Sequence, residues 1–238
     1  WFFMGDAIVF LTAGITSTST HRVETVINQW PLRDPNAPIV TGANWSVADG
    51  IGYYVPSGMP VQALREKRTG TWTSLAQSNS DSTVRTATFL TMWIDHGVMP
   101  SNAVAEYVIV PNVTADAMRN WVSSNPISIV ANNPTVAAVM RDNALGIVFW
   151  GPGSVQGYES DAPALVYALE TRESLRLSVC DPTSGAGTIR ITIPGRYRGA
   201  NAVTGVRSTT IDVPRNGGRT TTVDLLPAPP TRRRAAGR

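Results

Sequence analysis

A single cysteine, Cys180, among 238 residues means that no disulfide can close within the chain. It also excludes zinc sites assembled from several thiolates. Cys180 follows a valine in an apolar strand pattern, where a thiol behaves as a small buried hydrophobe. Histidine is nearly as scarce: His21 and His96 are the only two, with no second His or Cys at ligand spacing. The carboxylates are dispersed rather than clustered as in a calcium loop, so neither a metal site nor a cofactor is expected. Charged residues are 16% of the chain, too few for long helices with solvated Glu and Lys faces. No basic stripe interleaved with aromatics is present, which argues against a nucleic-acid partner. A signal peptide and an apolar run of membrane-spanning length are both missing, which argues against a membrane partner. The glycine-rich pieces at 151–157 and 184–187 lack the strand–loop–helix context of a phosphate cradle and read as turns.

What is abundant points to strands. Hydrophobic residues make up 42% of the chain, with 20 Gly and 17 Pro, and Thr, Ser and Val are frequent. Short β-rich runs separated by Gly, Pro, Asn and Asp turns predict an all-β protein. The formal charge is +3, and Arg232, Arg233, Arg234 and Arg238 in the terminal tail account for much of it. An acidic polysaccharide remains a possible partner, because scattered arginines can pair with isolated carboxylates.

Along the chain, residues 1–15 read as two strands around a turn at Gly5-Asp6. Val23, Thr25 and Ile27 then share one face of a strand, with Glu24 and Val26 on the other. His21 precedes that strand in a polar loop. Residues 31–49, rich in Pro, Asn, Asp and Gly, predict a long loop with Trp45 embedded in it. Two runs around 86–94 and 105–111 are apolar on both faces and need cover on both sides. Residues 114–122 form the best helix candidate, with Thr114 as N-cap and Ala115, Met118 and Val122 on one face. The texture changes at Asn125-Pro126 and Asn132-Asn133-Pro134, which suggests a domain boundary. Beyond it, strands such as Ile189-Arg190-Ile191-Thr192-Ile193 alternate with one wet face and suit a small sandwich. Two N-glycosylation patterns, at Asn44 and Asn112, are too common to carry weight.

Three groups of residues suggest chemistry. Trp45 either plugs a sheet edge or offers its indole to a sugar ring. Arg65, Lys67 and Arg68 form the most basic stretch of the body, either a solvated strand edge or a cationic rim for carboxylate-bearing sugars. Asp95, His96 and Tyr107 lie in and beside a polar loop between the two apolar runs and look like parts of an acid–base site.

The blocks WFFMGDAIVFLTAGI, RVETVINQW, TGTW (69–72), WIDHG, AEYVIVPN, NNPTVAAVM and LSVCDPT resemble, in order, the C-terminal β portion of the polysaccharide lyases that include hyaluronate, chondroitin AC and xanthan lyases. The resemblance implies an antiparallel β super-sandwich portion over residues 1–124, a smaller C-terminal β-sandwich over 125–226, and a disordered basic tail over 227–238. It implies a secreted enzyme that cleaves uronic-acid-containing polysaccharide by β-elimination. Its Asn, His, Tyr and supporting Arg would lie in an N-terminal α/α toroid that this sequence does not contain. On that reading the chain holds no catalytic residue, His96 is structural, and the candidate substrate contacts are Arg65, Arg68 and Trp45. The start at Trp1, inside a strand, suggests the later part of a longer or processed protein. A stand-alone carbohydrate-binding module and a structural extracellular β domain are the rival readings.

Overall fold

The computed structural model describes residues 1–76, 80–124 and 127–229. The chain divides into two compact units, Trp1–Asn125 and Pro126–Arg238. In the first unit the strands are β1 (Phe2–Met4), β2 (Ala7–Ile15), β3 (Arg22–Pro31), β4 (Val40–Thr41), β5 (Trp45–Ala48), β6 (Ile51–Tyr54), β7 (Val61–Gly70), β8 (Arg85–Val98) and β9 (Ala103–Pro111). The helix α1 (Ala115–Ser124) follows them. Six strands form one antiparallel sheet in the order β1-β2-β9-β6-β5-β4, and β3-β8-β7 form a second.

Alternation builds the core between these sheets. Leu90, Met92 and Ile94 of β8 and Ile27 of β3 point inward and meet Tyr53 and Ala105 of the larger sheet. On the larger sheet's other face, Val9 of β2 lies opposite Val108 of β9, and both are fully buried. The helix covers that face. Thr114 Oγ1 accepts the Ala117 N–H and caps α1, and Met118 is buried with no exposed surface. Met118 sits directly on Gly52, where an added Cβ would meet its Sδ at 2.6 Å. Trp121 packs edge-on against Tyr54, with ring centroids 5.9 Å apart. The strand β9 is thus covered on both sides, as its composition requires.

Two local expectations are corrected. The stretch 31–49 is not one long loop: it contains β4 and β5, and Trp45 opens β5 paired with Tyr54. Asp95, His96 and Gly97 do not lie in a loop either, because β8 continues through them to Val98. The connection to β9 is short, and Met99 and Asn102 take left-handed backbone conformations in it, with φ of 52° and 53°. Its ends join strands of different sheets.

In the second unit the strands are β10 (Ser128–Asn132), β11 (Val136–Arg141), β12 (Ala144–Phe149), β13 (Gly153–Val155), β14 (Tyr158–Ser160), β15 (Ala164–Glu170), β16 (Leu175–Cys180), β17 (Thr188–Pro194), β18 (Tyr197–Arg198), β19 (Ala202–Thr204), β20 (Ser208–Pro214) and β21 (Thr221–Pro227). They form a seven-stranded sheet, β10-β11-β12-β15-β16-β21-β18, and a five-stranded sheet, β13-β14-β17-β20-β19. Ile189, Ile191 and Ile193 from the smaller sheet meet Phe149, Val166 and Leu177 from the larger in one buried cluster. The stretch 151–157 supplies a turn: Gln156 and Gly157, at φ 51° and 80°, close a two-residue hairpin between β13 and β14. Asp181, after β16, accepts the Thr183 and Gly185 N–H groups at 2.9 and 2.7 Å and fixes the next loop. Cys180 donates its thiol hydrogen to the Gly218 carbonyl at 3.0 Å. At the C-terminal end, β21 runs to Pro227 and the Ala228 N–H donates to the Arg196 carbonyl. The arginines expected in a mobile tail lie outside the described residues.

Candidate functional site

Of the acid–base candidates, Asp95 and His96 hold hydrogen-bond partners, and Tyr107 is held through its ring. Asp95 accepts a hydrogen bond from Arg22 Nε at 2.8 Å and another from the Gly97 N–H at 2.8 Å. The Arg22 hydrogen bond, helped by the Gly97 amide, holds the Asp95 carboxyl below the usual carboxylate range. His96 Nε2 shares a hydrogen bond with Thr25 Oγ1 at 2.8 Å, which ties β8 to β3. Tyr107 stands in the other sheet, stacked on Phe10 with centroids 4.7 Å apart and planes 6° from parallel. Burial pushes its phenol up. No hydrogen bond joins His96 to Tyr107 among the described residues.

Arg65 and Arg68 do not converge. The β7–β8 register runs unbroken from Val61 to Gly70, so residues three apart point to opposite faces of the sheet. Arg65 reaches across to the Ala37 carbonyl. Arg68 donates from Nε to Glu66 Oε1 at 2.8 Å and from Nη2 to Thr91 Oγ1 at 3.2 Å, and its guanidinium lies 5.1 Å from the Phe89 ring centre. Trp45 is not among the residues that line the groove of about 710 Å³ at Arg68. Its indole packs on Gly42, where an added Cβ would meet Nε1 at 2.2 Å. It lines a cleft of about 290 Å³ with Asn44, Ser46, Tyr53, Met59 and Met92. Burial, with a smaller contribution from Asp49, pushes the Tyr53 phenol up to about 12.

A larger groove, of about 710 Å³, was not legible from the sequence. The segment 69–75 leaves β7 and turns back in a 3-10 turn (Trp72–Ser74), with Thr71 Oγ1 accepting the Ser74 N–H at 3.3 Å. This brings Trp72 and Leu75 toward Arg68, Arg85 and Phe89. Trp72 is 47% exposed. The one sequence signal was TGTW, a tryptophan just after a basic strand.

Two units of stacked antiparallel sheets in tandem, with one short helix among the described residues, define an all-β protein of the sandwich class. Residues 1–121 match the family model "Polysaccharide lyase family 8, super-sandwich domain", and residues 128–190 match "Polysaccharide lyase family 8, C-terminal beta-sandwich domain". The chain belongs to polysaccharide lyase family 8. It is 35% identical to a xanthan lyase of Bacillus sp. (strain GL1), over 88% of this chain and 26% of that protein. A hyaluronate lyase of Thermasporomyces composti is 28% identical, over 81% of this chain and 27% of that one. The structure of a Streptomyces coelicolor A3 chondroitin AC lyase in complex with chondroitin sulphate superposes with a TM-score of 0.86 at 27% identity, covering 96% of this chain and 32% of that one. A Paenibacillus xanthan lyase gives a TM-score of 0.84 at 31% identity, covering 97% of this chain and 26% of that one. The chain spans about a quarter of the length of these curated relatives.

Proposed function

We propose that this chain is the C-terminal β portion of a secreted lyase that cleaves a uronic-acid-containing polysaccharide by β-elimination. Its role is to shape one wall of the substrate cleft while another part of the parent protein supplies the base. The observation that supports this reading is the match of residues 1–121 and 128–190 to the super-sandwich and C-terminal β domains of polysaccharide lyase family 8, together with the structural ties of the acid–base candidates. His96 is held by Thr25, Asp95 by Arg22 and Gly97, and Tyr107 by its stack on Phe10.

In the reaction a base takes the proton from C5 of the uronate, whose carboxylate must be neutralised. The electron pair forms the C4–C5 double bond, the C4–O bond breaks, and the leaving oxygen receives a proton. The resemblance assigns those steps to an N-terminal α/α toroid, the partner this portion supports. Arg65, Arg68 and Trp45 are the contacts it offers the polymer, with Arg65 and Arg68 acting separately because they point to opposite faces of the sheet. Xanthan, hyaluronan and chondroitin are the polymers that the relatives' names offer for a first assay.

Absorbance of the unsaturated uronate product tests the reading, with this chain assayed alone and joined to the upstream part of its parent. Product is expected only from the joined form. In the parent, His96→Gln is expected to keep turnover within an order of magnitude of wild type. A drop of several powers of ten with an unchanged unfolding midpoint would return His96 to the chemistry.

A further inference from the structure

We propose that the groove between the three-stranded sheet and the 3-10 turn is a saccharide subsite, in which Trp72 stacks on a uronic acid ring and Arg68 takes its carboxylate. This rests on the lyase reading above and adds a site to it. Strand alternation sets Arg68 and Gly70 of β7 on the same face as Ala87 and Phe89 of β8. Gly70 leaves the floor open, since an added Cβ there would meet nothing within 4 Å. The turn closes the side with Trp72 and the 79% exposed Leu75. The resulting 710 Å³ lies within the roughly 300–1,000 Å³ of small-ligand sites. A pyranose presents flat C–H faces that stack on indole and hydroxyls at its edge. Thr71 and Ser74 also line the groove, their hydroxyls engaged within the turn, Ser74 Oγ donating to the Thr71 carbonyl at 2.7 Å and Thr71 Oγ1 bonded to Thr73 Oγ1 at 2.9 Å.

Charge favours an acidic occupant. Of the four cations in residues 61–85, Arg65 and Lys67 stand on the opposite face of the sheet, while Arg68 and Arg85 line the groove with no carboxylate among its described lining residues. The rest of residues 1–125 carries three cations and seven carboxylates. Within a unit that is acidic elsewhere, the groove presents these two arginines, each paired at its rim, Arg68 with Glu66 at 2.6 Å and Arg85 with Asp81 at 2.9 Å. Arg68 is also held in place before any ligand arrives. Glu66 takes its Nε–H, Thr91 takes an Nη2–H, and Phe89 supports the guanidinium plane. Of five N–H donors, those on Nη1 have no described acceptor and are available to a carboxylate.

The test uses the complete parent lyase and oligosaccharides released from xanthan, hyaluronan and chondroitin, each alongside its carboxyl-reduced form. Titration calorimetry gives Kd, and product absorbance gives KM and kcat. At least one acidic oligosaccharide is expected to bind, with Kd and KM raised about tenfold by Trp72→Ala and by Arg68→Gln while kcat stays within about twofold. Arg68→Gln is expected to leave binding of the carboxyl-reduced form unchanged. If Trp72→Ala fails to fold, Trp72→Phe takes its place and is expected to retain binding that Arg68→Gln weakens. Wild-type activity with Kd and KM unmoved by either substitution sinks the subsite alone, as does a lowered unfolding midpoint with unchanged binding, which would make the groove a packing surface. A parent that cleaves none of the three polymers sinks the lyase reading itself.

Discussion

The two units are built from the same two-residue period, yet they use it differently. In the second, sheets of seven and five strands face each other and inward positions find cover on the opposite sheet. In the first, a sheet of six strands meets a sheet of three, and a helix covers part of the remaining face. The mismatch leaves large side chains in the open: Phe3 and Trp30 are each 69% exposed, and Val26 and Leu64 lie on the outer face of the small sheet. Alternation alone makes a strand two-faced. How much of each face is buried depends on the size of the sheet opposite, and the exposed surplus is where ligands or further protein can bind.

Equivalent core truncations should produce the largest effect. Leu90→Ala in the first unit and Ile191→Ala in the second each remove a side chain at most 1% exposed, and each should cost about 2–5 kcal/mol. Six of the seven tryptophans (1, 30, 45, 72, 93 and 121) are in the first unit, so fluorescence reports mainly on it. In denaturant, Leu90→Ala should move the fluorescence transition, while Ile191→Ala moves only the far-UV circular dichroism of the second. Equal movement of both signals by either substitution would show one cooperative block and dissolve the comparison.

A smaller effect tests the helix that covers the first unit's second face. Gly52→Ala pushes a methyl group into Met118 and Val113 and should cost roughly 1–3 kcal/mol. An unchanged unfolding midpoint would mean that α1 lifts away at little cost.

The smallest effect concerns the wet faces of the second unit. Arg176 lies opposite Asp224 and Arg190 opposite Asp212, each pair hydrogen-bonded across adjacent strands. Those hydrogen bonds lower both aspartate pKa values from the ordinary 3.8. A lowered folded-state pKa gives stability that is present above the unfolded value and is lost as pH falls through the folded one. Carboxyl resonances followed by NMR from pH 6 downward should therefore titrate below about 3.9. Arg176→Gln should return Asp224 toward that value, with little change in stability at neutral pH because exposed ion pairs are weak. Titration of Asp224 at its ordinary pH in the wild type would remove the pair from solution.

Much of the fold was legible because its signals are local. The Ile189-Ile191-Ile193 alternation, the Thr114 cap and the Met118 face each depend on neighbours a few residues away. The strands β4 and β5 escaped notice because they are two and four residues long and sit among turn-formers. Asp95 and Gly97 favour turns, so the local sequence around His96 predicts a loop. In the fold, pairing with β3 carries the strand past them to Val98. Composition groups Arg65 with Arg68, whereas their spacing of three on a strand of period two places them on opposite faces.

The order of apolar and polar residues determined by itself that this chain would be β, where most strands would fall, and which side of each would be buried. Those choices follow from backbone geometry and from the cost of leaving apolar surface in water. Only the tertiary structure decided that His96 would meet Thr25, that Arg68 would rest on Phe89, and that Trp72 would turn back beside it. Such meetings depend on strand pairing and sheet stacking between segments distant in the chain, and no local pattern encodes that pairing.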